Sequence, residues 1–396
     1  MSVNESRMGV KFISYYENSG YGLVARIFIK ALLENGLKLT WTPLRKFGFP
    51  RKRYQPYKKE IHWERELISS AFKEINYDLV FISTVPEHYQ EWIDREKGKT
   101  LIGFSIWETT ALPDHWPPLI NQLDYLIVPT EWNKKLYRQN GINIPIVVIP
   151  HISQFEGEIK AADKQSMKGN KRFRFYTIST WTERKQMIKN VEVFLDTFTD
   201  SEPVELLIKT SKDDIMRPKW RIPKVMRQRY HSPHDTLEEY LAGTNRSPNI
   251  IMTADDHLAD EEIQQIHTSG DCFISLCRTE GWGMGAFEAA FFGKPILMTG
   301  FGGQTDFLPA DKAWLVDYTL VPVHDNQAPQ SYSSNQEWAE PDLEDATRKM
   351  RYIYDNRIEA GERGEKLKKY VEKEFNKEKT LNKLLKFIET LHSKHG

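Results

Sequence analysis

The sequence predicts an α/β protein built from two doubly wound parallel sheets. Short apolar segments of strand length alternate along the chain with segments whose apolar residues recur at helical spacing. This alternation occurs in two series, which a polar stretch at 156–172 separates. A chain of 396 residues also has the length that two domains of ordinary size require. Strands that alternate with helices imply parallel pairing, because each helix carries the chain back across the sheet.

The first series predicts an N-terminal domain, which we place at 1–160. An apolar strand at 10–16 is followed by a glycine turn at 17–22 and by a helix at 23–36 with one apolar face. An Asn-Gly pair at the end of this helix is a typical stop signal. Further strands are predicted at 79–84, 100–107, 125–130 and 146–150, and a further helix at 133–141.

The second series predicts a C-terminal domain at 170–375, and the polar stretch before it is the expected linker. Its strands are predicted at 173–180, 204–210, 249–253, 271–277 and 295–300. The end of the chain, 376–396, is expected to form a helix that can pack back on the N-terminal domain. One face of this helix needs a surface to dock on, because it carries Leu381, Leu384, Leu385, Ile388 and Leu391.

The composition limits the classes of partner. The chain has 55 basic and 55 acidic residues, so its net charge does not favour nucleic acid as a partner. No apolar run approaches the ~20 residues that span a bilayer, and no leader pattern precedes the first strand, so a cytoplasmic protein is expected. Cys272 and Cys277 lie five positions apart on one predicted strand and point to opposite faces, which disfavours a disulfide or a metal pair.

The segment at 279–295, TEGWGMGAFEAAFFGKP, carries the strongest functional signal. Glu280 and Glu288 flank three glycines, with an apolar strand before them and a helix-forming stretch after them. A helix that opens after a glycine turn directs unpaired N–H groups and a positive dipole end at its ligand, which suits a phosphate. Glu288, expected in the first helical turn, can accept hydrogen bonds from a ribose diol. Glu280, on the loop, is free to face a second polar ligand.

This segment resembles the Glu-x7-Glu signature of the retaining glycosyltransferases of family four. The match includes both glutamates, the Gly-aromatic-Gly after the first, the Ala-rich helix, and the Gly-Lys-Pro ahead of the next strand. One departure is visible, since the family often has Pro at the position of Gly285. The resemblance implies the GT-B architecture, in which two Rossmann-like domains face a cleft. The nucleotide sugar then binds mainly to the C-terminal domain and the acceptor mainly to the N-terminal domain.

The resemblance also assigns roles to residues of the second series. Glu288 would hold the ribose, and Glu280 would hold the sugar hydroxyls and support an oxocarbenium-like state. Arg184 and Lys185 would hold the diphosphate, with Lys189 as the alternative to Lys185. Other donor-binding candidates are Lys209, Gly281, Gly283, Met284, Gly285, Gly302 and Gly303. The family's Glu after the Gly-Gly pair is Asp306 here, so the sugar preference can differ.

No metal is expected in this mechanism. The chain contains no Asp-x-Asp, the metal site that the alternative GT-A architecture needs. Arginine and lysine side chains must then stabilise the negative charge that develops on the leaving diphosphate. The sequence therefore predicts a transferase with no resident cofactor.

The N-terminal domain carries candidates for the acceptor side and for the donor. Gly20 and Gly22 occupy the first strand-to-helix turn, where family members have a glycine loop near the diphosphate or the acceptor. Trp107, Glu108 and His115 cluster after a strand end. Glu108 could orient an acceptor hydroxyl and Trp107 could stack on a sugar face, while the alternative is that this segment makes a packed corner.

A basic segment lies at 45–59, where seven basic residues and no acidic residue are interleaved with aromatic residues. The basic residues are Arg45, Lys46, Arg51, Lys52, Arg53, Lys58 and Lys59. Such a loop can contact anionic lipid headgroups or a polyanionic acceptor, and the alternative is a solvated loop. Contact with lipid headgroups would place this cytoplasmic protein peripherally at the inner face of a membrane.

The resemblance, together with the absence of an Asp-x-Asp, therefore implies a retaining, metal-independent hexosyltransferase in glycan or glycoconjugate biosynthesis. The donor is expected to be a UDP- or GDP-sugar, and the acceptor a glycan, a lipid-linked sugar or another hydroxyl compound. Two alternatives stay open at this point. One is a GT-B epimerase of nucleotide sugars, which needs no acceptor, and the other is a non-catalytic subunit that binds a nucleotide sugar or a glycan.

Overall fold

The computed structural model of the chain describes residues 9–16, 19–44, 67–156, 172–214, 232–325 and 330–395. The chain forms two compact units. The first unit comprises residues up to 107, 112–154 and 375 onward. The second unit comprises 108–111 and 155–374, so a four-residue segment, 108–111, interrupts the first unit and belongs to the second.

A six-stranded parallel sheet forms the centre of the first unit, in the order β2-β1-β3-β4-β5-β6. Its strands are β1 (Gly9–Tyr15), β2 (Leu39–Leu44), β3 (Tyr77–Ser83), β4 (Thr100–Phe104), β5 (Tyr125–Val128) and β6 (Ile146–Val148). Its helices include α1 (Gly20–Glu34), α2 (Tyr89–Arg95), α3 (Trp116–Ile120) and α4 (Glu131–Gln139). The central strands are apolar on both faces because helices cover both, as in other doubly wound sheets.

The helix after β1 begins earlier than the sequence predicts. We expected a glycine turn to extend to residue 22, but α1 starts at Gly20. Ser19 is its N-cap, and the Ser19 hydroxyl accepts a hydrogen bond from the Gly22 amide at 3.3 Å. A capping serine offsets the low helix propensity of the two glycines, so Gly20 and Gly22 lie in the first helical turn.

The C-terminal helix, α11 (Lys377–His395), is part of the first unit. Four of its leucine and isoleucine side chains are buried. Phe387 packs edge-on against Tyr125, with ring centroids 5.4 Å apart. His392 Nε2 lies 3.1 Å from Asp78 Oδ1. The apolar face that the sequence left without a partner is therefore covered by this unit.

A second six-stranded parallel sheet forms the centre of the other unit, in the order β12-β11-β10-β7-β8-β9. Its strands are β7 (Phe173–Ile178), β8 (Val204–Thr210), β9 (Ile250–Ala254), β10 (Cys272–Ser275), β11 (Ile296–Thr299) and β12 (Trp314–Val316). The helices include α5 (Met187–Thr197), α6 (Pro233–Ala242), α7 (Asp260–Ser269), α8 (Met284–Phe291), α9 (Leu343–Asp355) and α10 (Arg357–Glu374). A separate antiparallel pair consists of β13 (Tyr318–Pro322) and β14 (Glu337–Pro341).

The predicted fold class is confirmed, since every predicted strand is present and both large sheets are parallel. Strand β2, strand β12 and the β13–β14 pair were not predicted from the sequence. Proline interrupts β2, β12 has three residues, and most of β13 is exposed, so none carries the apolar run of a central strand.

Cys277 lies beyond the end of β10, so the two cysteines do not share a strand as predicted, although both are buried free thiols. The basic segment at 45–59 and nearly all of the expected linker lie outside the described residues. Within the described ranges, no helix combines the length and the apolar character that a membrane span requires.

Candidate active site

The glycine-rich turn between β10 and α8 is shaped by one glycine and anchored by one tryptophan. Gly283 is the N-cap of α8 and has a φ of +89°, a left-handed conformation that favours glycine. Trp282 is buried, and its ring centroid lies 4.8 Å from that of Phe287 and 5.0 Å from that of Phe307. The aromatic anchor fixes the turn, so that Glu280 just before it has a defined position.

A second loop, between β7 and α5, is tied to this turn. Strands β7 and β10 are parallel neighbours, so both loops leave the same carboxyl edge of the sheet, where α/β proteins bind ligands. The amide of Arg278 donates to the carbonyl of Arg184 at 2.8 Å. Arg184 Nη1 donates in return to the carbonyl of Thr279, also at 2.8 Å. These bonds bring the predicted diphosphate residues to the first glutamate.

The carboxylate of Glu280 lies between the two predicted cations. Arg184 Nη1 is 3.2 Å from Glu280 Oε2, and Lys185 Nζ bonds Glu280 Oε1. All three side chains are at most 17% exposed. Burial alone would raise the pKa of Glu280, but Lys185 and Arg184 hold that pKa below its usual value. The glutamate is therefore ionised at neutral pH, and each cation faces a negative charge.

Glu108 also contacts this cluster. Glu108 Oε1 lies 3.3 Å from Arg184 Nη2, and the Tyr332 hydroxyl donates to Glu108 Oε2 at 3.2 Å. The Thr279 hydroxyl donates to the Glu108 backbone carbonyl. Burial would lower the pKa of Arg184, but Glu108 and Glu280 raise it above its usual value, so the guanidinium stays charged. A residue that the sequence assigned to the acceptor side thus contacts the arginine assigned to the diphosphate.

The three candidate lysines have different surroundings. Lys185 joins the cluster, whereas Lys189 Nζ pairs with Glu192 Oε2 at 2.9 Å on the same helix. Lys209 lies near the carboxyl end of β8. Burial lowers the pKa of Lys209, while three carboxylates, among them Glu288, act in the opposite direction. This geometry favours Lys185 over Lys189 as the partner of Arg184.

Glu288 is buried, at 4% exposure, and begins the second turn of α8 rather than the first turn that we expected. The difference arises because α8 begins at Met284, directly after its glycine cap. Among the described residues, Glu288 Oε1 has no hydrogen-bond partner. Glu288 Oε2 lies 3.6 Å from Nε2 of His267, a buried residue of α7. A buried carboxylate with an oxygen left for a ligand is what a ribose site requires.

Two glycines near the first glutamate, Gly302 and Gly285, lie where an added Cβ would be crowded. The Gly303 amide donates to the Glu280 carbonyl at 2.7 Å, which places the Gly-Gly loop beside the first glutamate. Gly302 has a φ of +111°, and a Cβ there would lie 2.5 Å from the Glu280 carbonyl oxygen. A Cβ at Gly285 would lie 3.0 Å from the Ile178 carbonyl oxygen, so α8 starts in close contact with the end of β7. Gly281 and Met284 lie in the same stretch, before and after the glycine cap.

In the first unit, Trp107, one of the predicted acceptor-side residues, lies in a packed corner. Trp107 is 4% exposed, and its ring lies 4.5 Å from that of Trp116 in an edge-on arrangement. Glu87 Oε1 accepts from Trp116 Nε1 at 2.9 Å and lies 2.8 Å from His115 Nε2. The proposed stacking of Trp107 on a sugar is therefore not supported, because the indole is enclosed by protein. At Gly20, by contrast, a Cβ would have no atom within 4 Å.

Several residues that shape the site were not identified from the sequence. Glu340, on β14, accepts from Arg278 Nε and from Gln186 Nε2, both at 2.9 Å, and so braces both loops. Tyr332 and His267 were also not predicted, since nothing in the sequence links them to the segment at 279–295. Within the described ranges, no group of three or more His, Cys, Asp or Glu side chains is placed to hold a metal ion.

No protein-family model matches the sequence, and no curated protein does so. Solved structures nevertheless match along almost the whole chain. Sucrose-phosphate synthase from Thermosynechococcus elongatus is 13% identical, with a TM-score of 0.70, over 98% of this chain and 100% of that one. A glycosyltransferase from Rickettsia africae is 15% identical, with a TM-score of 0.64, over 96% and 98%.

The HepE protein of Anabaena, solved in complex with UDP and glucose, is 12% identical with a TM-score of 0.61. That match covers 98% of this chain and 100% of the other. Likeness at these identities establishes the fold and leaves the activity open. The chain therefore has the two-domain, Rossmann-like α/β fold of the GT-B type, as the sequence predicts.

Proposed function

We propose that this protein is a glycosyltransferase that moves a hexose from a nucleotide-diphosphate sugar to a hydroxyl acceptor. The observation that carries the proposal is the position of Arg184 and Lys185 around Glu280, at the turn that opens α8. Glu288, with its unpartnered oxygen among the described residues, follows on the same helix. Two further observations support this function. One is the resemblance of 279–295 to family four, and the other is the fold shared with sugar-transferring enzymes.

In this proposal the donor lies along the carboxyl edge of the second sheet. Its ribose hydroxyls donate to Glu288, and its diphosphate faces the start of α8, where backbone N–H groups and the helix dipole favour negative charge. Arg184 and Lys185 supply the two positive charges. Glu280 accepts hydrogen bonds from the hydroxyls of the sugar.

Transfer breaks the bond between the anomeric carbon and the diphosphate oxygen, and the electron pair leaves with the diphosphate. The acceptor oxygen bonds to the anomeric carbon from the face that the diphosphate leaves, so the configuration is retained. The acceptor's proton passes to an oxygen of the leaving phosphate. Glu280 lies near the positive charge that develops on the sugar, and the two cations lie near the negative charge on the phosphate.

The mechanism needs no metal ion, because Arg184 and Lys185 supply the positive charge that a bound cation supplies in other transferases.

The substrates and a membrane contact are proposed from the sequence. The donor is a UDP- or GDP-sugar, and the acceptor is a glycan, a lipid-linked sugar or another hydroxyl compound of glycan biosynthesis. The basic segment at 45–59 can bring the protein from the cytoplasm to an anionic membrane face.

The proposal is tested with purified protein, a panel of UDP- and GDP-hexoses, and simple glycosides as acceptors. We expect acceptor-dependent release of nucleoside diphosphate, with the product's anomeric configuration, read by NMR, equal to that of the donor. Glu280→Gln should depress release by about a hundredfold or more, while Glu372→Gln, on an exposed part of α10, should not. Conversion of the donor to an epimer without an acceptor would instead identify an epimerase. Nucleotide binding without turnover would identify a binding subunit, and the absence of both would refute the proposal.

A further inference from the structure

The guanidinium of Arg184 is shared between two carboxylates. Nη1 donates to the Thr279 carbonyl and contacts Glu280, while Nη2 lies 3.3 Å from Glu108 Oε1. Glu108 and Arg184 are 16% and 17% exposed, so solvent screens this pair only in part. The Tyr332 hydroxyl holds the second oxygen of Glu108. Glu108 therefore occupies the side of Arg184 that Glu280 leaves free.

The segment that carries Glu108 is itself fastened to the second unit. The amide of Thr110 donates to the Glu337 carbonyl at 3.0 Å, and the Glu337 amide donates to the Thr110 hydroxyl at 2.8 Å. The Thr109 hydroxyl lies 2.9 Å from Gln336 Oε1. These bonds hold the segment's backbone, so Glu108 can reach or leave Arg184 by a change of its side chain alone.

The cluster has no net charge when its acids are ionised. Arg184 and Lys185 contribute two positive charges, and Glu280 and Glu108 contribute two negative ones. An arginine binds a phosphate best through two parallel N–H donors, and here Glu108 already faces Nη2. A phosphate oxygen placed next to the Glu108 carboxylate would also be repelled by it. Glu108 and a diphosphate thus compete for one face of Arg184.

We propose that Glu108 is an internal competitor of the diphosphate group. It pairs with Arg184 as in this structure, is displaced when a nucleotide sugar binds, and returns as the nucleoside diphosphate leaves. This inference rests on the proposed transferase function and gives Glu108 a role on the donor side. Its consequence is weaker binding of the product, which favours release after transfer.

The alternative role for Glu108 is to position Arg184 for the diphosphate. The two roles predict opposite effects of Glu108→Gln. The amide keeps the size of the side chain, its oxygen can accept from Arg184 and its NH2 group can donate to the Tyr332 hydroxyl, but it no longer carries the charge that repels a phosphate. A competitor's removal strengthens nucleotide binding, whereas the loss of a positioning charge weakens it.

The experiment measures UDP and GDP binding to the full-length protein by calorimetry, with dissociation rates from stopped flow. For the nucleotide that the parent binds, Glu108→Gln should bind at least about fivefold tighter at low salt and dissociate more slowly. This gain should shrink as salt is raised. Tyr332→Phe, which removes the donor that holds Glu108, should shift affinity in the same direction by less. Glu372→Gln serves as a control for loss of a carboxylate and should leave affinity unchanged.

Unchanged or weaker binding by Glu108→Gln, with normal binding by the parent, would overturn the competitor role and leave the transferase proposal intact. Failure of the parent to bind any nucleoside diphosphate or nucleotide sugar would overturn both. A thermal melt of each variant identifies a folding defect, and in that case Glu108→Asp, which withdraws the carboxylate by one methylene, replaces Glu108→Gln. It too should bind tighter if Glu108 competes.

Discussion

Nε2 of His267 lies 3.6 Å from Oε2 of Glu288, and Nδ1 of the same ring lies 3.0 Å from the Tyr176 hydroxyl. All three residues are buried, and the imidazole stacks on Phe292 with centroids 5.0 Å apart. If the tyrosine hydroxyl donates to Nδ1, the proton of the neutral ring is on Nε2, which faces the carboxylate. We therefore expect His267 to orient Glu288 without touching the ligand.

Glu288→Ala should weaken nucleotide binding itself. The ribose is bound alike in the ground state and the transition state, so the loss of a charged hydrogen-bond acceptor should cost about 1.5–3 kcal/mol of binding free energy. Calorimetry with the preferred nucleoside diphosphate measures this loss. Glu261→Ala, on the exposed start of α7, provides the comparison for removal of a carboxylate. Nucleotide affinity equal to that of the parent would exclude Glu288 from the ribose site.

His267→Phe should weaken nucleotide binding by up to about 1 kcal/mol, because it keeps a ring on Phe292 but removes Nε2, which lies 3.6 Å from Glu288 Oε2 and has no hydrogen-bond partner among the described residues. A purely structural role predicts a lower melting temperature with an unchanged dissociation constant. The decisive comparison uses the Glu288→Ala background, in which His267→Phe should have no further effect on affinity. Equal effects in both backgrounds would show that the histidine acts independently of Glu288.

The sequence predicted the local structure of the part of the candidate site that lies within one continuous segment. Glu280, Glu288 and the glycines between them are close in sequence, and their strand–turn–helix setting follows from local pattern. The choice between Lys185 and Lys189 was not decidable, because the turn before α5 contains a left-handed residue, Gln186, that sequence pattern does not reveal.

The contacts between distant segments could not be predicted. Glu108 reaches Arg184 because its four-residue segment leaves the first unit, and a single sequence carries no signal for such a crossing. Glu340 braces both loops from β14, a short strand without an apolar run. His267 lies on a helix whose polar composition suggests a solvated surface, yet its imidazole is fully buried.

Glu280→Gln should depress turnover by about a hundredfold or more, as expected for the loss of one interaction made in the transition state. Nucleoside diphosphate binding should be kept or strengthened, because the two cations lose a negative partner. Steady-state kinetics and calorimetry separate these effects. Full turnover by this variant would remove Glu280 from the catalytic machinery.

The same variant should change the pH dependence of stability. Since the folded-state pKa of Glu280 is lowered, its ionised form stabilises the native state above the unfolded pKa of about 4.3, and that stabilisation is lost as pH falls through the folded pKa. The difference in unfolding free energy between parent and Glu280→Gln should be constant from pH 7 to about 5 and shrink below that. Denaturant titrations at each pH measure it, and a difference that grows on acidification would contradict the lowered pKa.

Two glycines should respond oppositely to alanine. Gly302→Ala places a side chain at a φ of +111° and against the Glu280 carbonyl, so it should destabilise the protein by more than about 1 kcal/mol and reduce turnover. Gly20→Ala enters open space in a helical turn and should stabilise the protein by roughly 0.5–1 kcal/mol. The melting temperatures of both variants, compared with that of the parent, test these two opposite effects. Equal melting temperatures would mean that the Gly-Gly loop rearranges without cost.

Turnover should persist in excess EDTA. Arg184 and Lys185 lie within bonding distance of Glu280, so in the proposed mechanism two basic side chains of the protein itself face the leaving diphosphate. They differ from a bound metal ion in that chelation cannot remove them. Donor hydrolysis and transfer are therefore measured with and without EDTA, and with Lys185→Ala beside Lys368→Ala as a control lysine of α10. Of these two lysine variants, we expect only Lys185→Ala to lose activity. Loss of the parent's activity in EDTA, with recovery on adding magnesium or manganese, would show that these two side chains are insufficient.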